Sequence, residues 1–319
     1  MLVVTGGAGF IGINIVRGLN DRGHEDILIV DELNHPDKLA NLNNSTFRDA
    51  LDKDEFRRAL SRAEWISEIR TIFHQGACTD TLEHDRNYLM RNNVDYSKWL
   101  LHYALEKRIP FVYASSAAVY GANTNFSENA ENERPLSDYG HSKLLFDQHV
   151  RQVIQRAESS VVGLRYFNVY GPNEAHKGRM ASLVYQIYRQ LKETGTVRLF
   201  EGTDGFADGE QLRDFIYVDD VVETNLFFAF SPLIKGIFNV GTGKSRRFND
   251  IAKIWISILG FGEFHYFPAP DEVKVAYQSH TRADITALRR KGFGKPFIPL
   301  EEGIVRYAKV LMRDEYLAF

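Results

Sequence analysis

Cysteine is nearly missing. Cys78 is the only one in 319 residues, so neither an internal disulfide nor a cysteine cage for zinc can form. Long apolar runs are missing too: the most apolar stretch, Ile251 to Phe261, carries Lys253 and is too short to cross a bilayer. There is no basic excess, because 39 Lys and Arg face 42 Asp and Glu, a formal charge of −3. That balance speaks against nucleic acid as a partner. Repeats, low-complexity tracts and Pro/Ser-rich linkers are not found, and Met1 leads straight into Leu-Val-Val-Thr-Gly-Gly without a basic segment before an apolar one. A cytoplasmic chain that touches neither membrane nor nucleic acid is expected. No metal constellation is expected either. Apolar residues at 44% and charged residues at 25% are those of an ordinary globular chain.

Short β-rich runs are present at Leu2 to Val4, Ile27 to Val30, Thr71 to Phe73, Phe111 to Tyr113 and Val161 to Leu164. They show little polar alternation, as strands buried on both faces of a parallel sheet do. Helical patterns fall between them, at Ile11 to Arg22, Asp54 to Trp65, Asp85 to Lys107 and Asp138 to Arg156. The alternation predicts an α/β doubly wound parallel sheet of Rossmann type. Further strand-like pieces at Val197 to Phe200, Asp214 to Val218 and Gly236 to Val240, with a helix over Ala181 to Glu193, indicate a smaller mixed α/β lobe. The division expected is a dinucleotide-binding domain over 1–166, with a returning segment at about 214–240. The interleaved substrate lobe then covers 167–319.

Residues 5–12 read Thr-Gly-Gly-Ala-Gly-Phe-Ile-Gly, a Gly6-x-x-Gly9-x-x-Gly12 spacing between a strand and a helix. Glycine allows the tight turn and lets a pyrophosphate approach the helix N-terminus. Asp31 ends the second strand about 20 residues beyond Gly12, where an acid meets the adenosine ribose hydroxyls. Glu32 would repel a ribose 2′-phosphate, whereas Lys38 and Lys53 would neutralise one or simply lie on the surface. Asp49, read as a loop residue after the third strand region, is a candidate for the adenine. NADP and NAD both remain open on these residues.

Tyr139-Gly-His-Ser-Lys143 places tyrosine and lysine four apart on one helix face. A neighbouring ammonium and the positive charge of an oxidised nicotinamide favour the phenolate, which can take the proton of an alcohol as its hydride leaves. Ser116 stands at the end of the strand begun at Phe111, where its hydroxyl can bond the reacting oxygen. Gly76-Ala77 supplies small residues beside the nicotinamide half.

On these motifs the whole chain resembles the extended short-chain dehydrogenase/reductase superfamily, whose members mostly act on nucleotide-diphosphate sugars. Ser116, Tyr139 and Lys143 match its catalytic triad, and Asn92 its structural asparagine. Sister dehydratases carry an acidic pair where this chain has Ala117-Ala118. Further segments narrow the match: His74-Gln75-Gly76-Ala77-Cys78, Arg165 to Pro172, His176-Lys177-Gly178-Arg179-Met180-Ala181-Ser182 and Leu199 to Gly202. Together they resemble the family of ADP-L-glycero-D-manno-heptose 6-epimerases, which serve lipopolysaccharide inner-core synthesis.

That resemblance implies inversion at C6″ of the sugar through a transient ketone, with a tightly bound NADP and NAD as the alternative. It implies two bases, Tyr139 and Lys177, with His176 and Arg179 as candidates to perturb the lysine. Read without the resemblance, Lys177 is a loop lysine on the diphosphate. It further implies cofactor contacts at Phe10, Ile11, Asp31, Glu32, Lys38, Lys53, Gln75, Gly76, Ala77, Cys78, Thr79, Asn92, Lys143, Val169 and Lys177. Implied substrate contacts are Asn168, Arg179, Gln186, Phe200, Glu201, Gly202, Thr203, Arg213 and Tyr277. Assembly as a homo-oligomer, a pentamer by the same resemblance, is expected. The chain departs from the family at Glu32, Gln75, Asp80, Leu82 and Arg179, and over the long Phe206 to Leu212 stretch before Arg213. Another nucleotide-sugar epimerase or reductase is the alternative. A dinucleotide-sensing regulator is disfavoured because Ser116, Tyr139 and Lys143 are all present.

Overall fold

The computed structural model describes residues 1–62, 67–270 and 278–317. Its strands in chain order are β1 (Leu2–Thr5), β2 (Ile27–Val30), β3 (Asp49–Leu51), β4 (Thr71–His74), β5 (Phe111–Ser116) and β6 (Val161–Tyr166). There follow β7 (Asn168–Tyr170), β8 (Thr196–Phe200), β9 (Leu212–Tyr217), β10 (Lys235–Val240), β11 (Ser245–Arg247) and β12 (Glu263–Phe267). Seven of them form one parallel sheet in the order β10-β6-β5-β4-β1-β2-β3. The order reverses between β1 and β4, and in such sheets the crevice outside the strand C-termini is the ligand site.

Along β1 alternate residues feed two apolar layers. Val4 packs with Ile13, Ile15, Val222 and Leu226, while Val3 packs with Leu100, Phe111 and Phe146 on the other face. Both faces are covered, which is why the strands read as unbroken apolar runs. The helices that matter for the site are α1 (Phe10–Asn20), α2 (Pro36–Asn41), α3 (Lys53–Ser61), α4 (Arg86–Leu89), α5 (Tyr96–Glu106) and α6 (Asp138–Val153). The helix expected over Asp54 to Trp65 is thus α3, and Trp65 lies outside the described residues. The single helix expected over Asp85 to Lys107 is interrupted, because Met90–Asp95 between α4 and α5 is π-helical. Such wide turns often occur at functional sites.

The lobe consists of β7, β9 and β11 in one small sheet and β8 paired with β12. Against them lie α7 (Leu183–Thr194) and, after α8 (Val218–Phe230), α9 (Phe248–Leu259), with the helix Leu300–Leu317. Trp255, fully buried, centres this third apolar cluster. Between the lobe's pieces the chain returns: α8 packs on α1, and β10 pairs with β6 at the edge of the large sheet. Among the described residues no helix is long and apolar enough to cross a membrane.

Candidate active site

A cleft of about 660 Å³ opens over the C-terminal ends of β1, β4 and β5 and is closed on the far side by the lobe. Its floor is the glycine turn. Gly6 takes a φ of 66°, and a Cβ there would lie 2.7 Å from the Gly76 nitrogen. A Cβ on Gly12 would lie 2.0 Å from the Gly6 oxygen. Gly9 differs: its Cβ would meet only the Gly6 oxygen, at 3.2 Å. Gly9 is also the N-cap of α1, which has no side-chain cap and no acid in its first turn. The helix therefore presents uncapped N–H groups to the cleft through Phe10, Ile11 and Gly12, and these residues fit a dinucleotide pyrophosphate.

Asp31 closes the cradle. It is buried, and its Oδ2 accepts from Ala8 N at 2.9 Å while Oδ1 accepts from Glu32 N at 2.7 Å and Lys38 Nζ at 3.0 Å. Lys53 Nζ donates to Glu32 Oε1 at 3.1 Å and to Asn92 Oδ1 at 2.7 Å. Both lysines are therefore already partnered by the acids beside them. Asp49 corrects the sequence reading. It is not a loop residue but the first residue of β3, exposed at the sheet edge, where its Oδ1 accepts from Ala50 N at 2.8 Å. The Asp49 side chain does not line the cleft.

The opposite wall follows β4. Gly76 N donates to Thr5 Oγ1 at 3.2 Å, and the side chain of Gln75 is held by Tyr166 and Asn225. Gln75, Gly76, Ala77 and Thr79 line the cleft, whereas the Cys78 side chain does not. Of the two adjacent asparagines, Asn93 is the one that braces this wall. Asn93, buried, accepts from Cys78 N at 2.8 Å and donates to Cys78 O at 3.0 Å and Ser142 Oγ at 3.0 Å. Asn92 turns instead to Lys53. The π-helical turn separates the two directions, and helical spacing alone had given no ground to choose between adjacent asparagines.

Beneath this wall His74 is buried, with Nδ1 2.7 Å from Thr5 Oγ1 and Nε2 2.7 Å from Ser97 Oγ. Burial, aided by Lys143, depresses its pKa to about 3. In the unfolded chain histidine titrates near about 6.5. His74 therefore contributes stability that is complete above pH ~6.5 and is lost as pH falls towards about 3. The slope reaches ~1.4 kcal/mol per pH unit. Urea denaturation at pH 7, 6 and 5 should show it, and His74→Asn should flatten it; an unchanged slope in that variant would place the acid sensitivity elsewhere.

The candidate reacting groups come from β5 and α6. Ser137 caps α6 by accepting from Gly140 N, which places Tyr139 in its first turn and Lys143 one turn on. Both are buried, and both line the cleft with Ser116. Ser116 hydrogen-bonds the Tyr139 hydroxyl. Lys143 Nζ donates to Ala114 O at 3.0 Å and lies 6.0 Å from the centre of the Tyr139 ring. Burial pushes Tyr139 up to about 12, against the lowering effect of the Ser116 bond. Burial likewise lowers Lys143 to about 8, opposed by Asp147.

Lys177 enters from the lobe on a short 3-10 segment, Ala175–Met180. Its Nζ stands 5.6 Å from the centre of the Phe10 ring, so the second candidate base rests on the cofactor cradle. Burial lowers its pKa and Glu174 opposes that. Of the two perturbers expected, His176 lines the cleft and its own pKa is lowered by burial, then by Lys38 and Lys177. Arg179 is engaged instead by an ion pair with Asp80 at 2.8 Å. Two of the positions that depart from the family thus partner each other across the cleft mouth.

Asn168, Val169, Arg179, Gln186 and Arg213 also line the cleft. Arg213 packs its guanidinium over Phe248, 5.6 Å from the ring centre, so the long stretch before it leaves it at the cleft. Phe200, Glu201, Gly202 and Thr203 do not line it. They form the end of β8 and a turn in which Glu201 N donates to Phe267 O at 2.9 Å and Thr203 meets Ser279 at 3.0 Å. Tyr277 lies outside the described residues. Sequence reasoning missed Asn41, whose Nδ2 donates to Ala8 O at 3.0 Å and meets His176 Nδ1 at 3.1 Å, joining cradle to lobe. It missed Glu174 and Asp147 as well. A lone Asn in a short helix gives no signal, whereas the spacing Tyr139, Lys143, Asp147 down one helix face does.

Residues 2–241 match the NAD dependent epimerase/dehydratase family. The chain belongs to that family. Within it, an ADP-L-glycero-D-manno-heptose-6-epimerase of Alkalilimnicola ehrlichii is 50% identical over 307 residues, 96% of each chain. The crystal structure of the ADP-L-glycero-D-manno-heptose-6-epimerase of Helicobacter pylori superposes with a TM-score of 0.85 at 31% identity, covering 98% of this chain and 96% of that one. A UDP-glucose 4-epimerase of Thermus thermophilus in complex with NAD gives 0.78 at 27% identity, covering 95% and 96%. For this epimerase/dehydratase family member the doubly wound fold read from the sequence is therefore established.

Proposed function

We propose that this chain inverts C6″ of ADP-D-glycero-β-D-manno-heptose to give ADP-L-glycero-β-D-manno-heptose, a precursor of the lipopolysaccharide inner core. One observation carries the reading. Two side chains able to move a proton, Tyr139 on α6 and Lys177 on the lobe, line one cleft from different elements of the fold. Hydroxyls of opposite configuration at one carbon point to opposite sides, so two such groups suit an epimerase. The relative at 50% identity supports the sugar.

A nicotinamide bound at the cradle would supply a hydride acceptor and a positive charge when oxidised, and the hydride donor for the return once reduced. The chain does the rest. Ser116 donates to the reacting oxygen, and Tyr139 takes the hydroxyl proton of one epimer. The carbon becomes a ketone that turns in the cleft, and Lys177 gives the proton to the oxygen on the other side. Lys143 holds its ammonium near the phenol, and Arg213 meets the diphosphate, where its fork suits two oxygens. Incubation with ADP-D-glycero-D-manno-heptose, followed by NMR at C6″, tests the proposal. Inversion without accumulated reduced cofactor is expected. An inert heptose with turnover of UDP-galactose would assign the chain to another nucleotide-sugar epimerase.

NADP is the cofactor in this reading, with Lys38 and Lys53 released from Asp31 and Glu32 to meet the 2′-phosphate. Lys38→Met and Lys53→Met should each weaken NADP binding about tenfold, ~1.4 kcal/mol, and leave NAD nearly unchanged in calorimetric titrations. Equal losses for both nucleotides would contradict it. A homo-oligomer in the cytoplasm accompanies the proposal; exposed Phe230, the last residue of α8, and exposed Leu233 beyond it in the chain support self-association.

A further inference from the structure

The loop that carries Lys177 runs from Gly171 to Ser182, and three asparagines join it to the cofactor cradle. Glu174 closes the loop at its base, accepting from Gly171 N at 3.1 Å and from Ser182 Oγ at 2.9 Å. The half of the loop before Lys177 then lies against α1 and α2. Asn14, buried on α1, donates from its one side-chain nitrogen to Phe10 O at 2.8 Å and to Pro172 O at 2.9 Å. Its oxygen accepts from Asn173 Nδ2 at 3.2 Å, and Asn173 Oδ1 accepts in turn from Arg17 Nη1 at 2.9 Å. Arg17 continues to the end of α2, where Nη2 donates to Asn41 O and, just beyond the helix, to Asn43 O, each at 3.2 Å. The Asn41 side chain completes the circuit, with Nδ2 at 3.0 Å from Ala8 O and 3.1 Å from His176 Nδ1.

Each amide faces a partner that can act in one way only. Carbonyl oxygens accept and a guanidinium donates, so the nitrogens of Asn14 and Asn41 and the oxygen of Asn173 are fixed in direction. Asn173 adds a second sign. Its φ is 73°, a left-handed conformation that most side chains avoid and asparagine tolerates. Such a residue persists where its surroundings over-determine it, and here both polar atoms of the side chain are held by α1. Phe10 is the shared point of cradle and loop. Its carbonyl is bonded by the amide that also holds Pro172, and its ring centre lies 5.6 Å from Lys177 Nζ.

We propose that Asn173 and Asn41 are positioning residues for Lys177: they dock its loop on the turn and helix that cradle the cofactor, so that the lysine and the bound dinucleotide keep one registration. The inference rests on the reading of Lys177 as a group that moves a proton at the substrate. Neither asparagine needs to touch the sugar. A loop closed only at Gly171 and Ser182 could pivot about that base, and a displacement of about 1 Å at a reacting group costs up to ~100-fold in rate. Docking on α1 and α2 removes the pivot.

The experiment takes the full chain loaded with NADP, and its first two readouts need no sugar. They are hydrogen exchange over residues 172–182 and the rate of Lys177 acetylation by acetic anhydride, both followed by mass spectrometry, with Lys143 as internal reference. Asn173→Gly is the informative variant, because glycine adopts the same φ without strain and only the side-chain tether is lost. Loop exchange and Lys177 acetylation should each rise at least about threefold as the docked population falls, while Lys143 and the melting temperature hold. Asn41→Ala should act likewise from the other helix. With substrate, kcat should fall about tenfold in each variant at nearly constant KM, a split that a role in stability alone would not produce. Parental exchange and labelling in both variants would overturn the inference, and so would a loosening shared equally by Lys143. If the loop loosens and kcat stays parental, the docking holds and the reading of Lys177 is what fails.

Discussion

Tyr139→Phe and Lys177→Met should each lower kcat by about 10²–10⁴-fold, the usual worth of a positioned acid or base. Either change leaves one group for two tasks. The surviving side chain can still serve the hydroxyl on its own side of the carbon, but the second half of the inversion then lacks its proton partner. KM should move much less than kcat, because neither side chain is the main holder of the nucleotide. The bound cofactor should be retained in both variants, since the glycine cradle and Asp31 are untouched. Stopped-flow kinetics with either heptose epimer measures this directly. If both variants stayed within threefold of the parent, ~0.6 kcal/mol, neither side chain would be moving a proton.

A second large effect is expected on stability, from Arg165→Met. Arg165 is completely buried at the end of β6. Its Nε and Nη2 donate to Asp147 Oδ2 at 2.9 and 2.8 Å, Nη2 also pairs with Glu133, and Nη1 reaches the Tyr120 hydroxyl at 3.1 Å. Asp147 in turn accepts from Tyr113 and Ser115, each at 2.9 Å. Methionine fills much of the volume but strands the buried Asp147 carboxylate and leaves Glu133 with Arg151 alone. Breaking a buried pair from one side costs ~3–5 kcal/mol, equivalent in a chain of 319 residues to a fall in Tm of about 4–8 °C. Because Asp147 lies one turn from Lys143 on α6, activity should fall along with stability. A change below ~1 kcal/mol in denaturant melts would mean that the network relaxes freely.

The large sheet was legible because its strands are buried on both faces, so each appears as an unbroken apolar run. β3 was not: it has three residues at the sheet edge, and Asp49 there reads like loop. The cradle, Tyr139, Lys143 and Ser116 were legible because their spacing is local and their chemistry is distinctive. Asn93 was hidden by a neighbour of the same type and by a π-helical turn that no apolar period announces. Glu174, His74 and Arg165 escaped for a different reason. Their roles are fixed by partners elsewhere in the chain, such as Glu133 for Arg165 and Thr5 for His74, and a one-dimensional pattern holds no trace of those meetings. The Asp80–Arg179 pair is intermediate: both residues stood out one at a time, and only the fold sets them face to face.

The wide turn at Met90–Asp95 bears on how this chain can vary. A π-helical stretch holds one residue more than regular helix of the same span. Excising any single residue there would let the backbone relax to the ordinary α form at little conformational cost. Helices α4 and α5 would keep their relative register, because the wide turn is what absorbs the surplus residue. Asn92 and Asn93 could no longer serve Lys53 and the Cys78 backbone together. The surplus residue thus serves the two asparagines it presents, while the flanking helices could tolerate its loss.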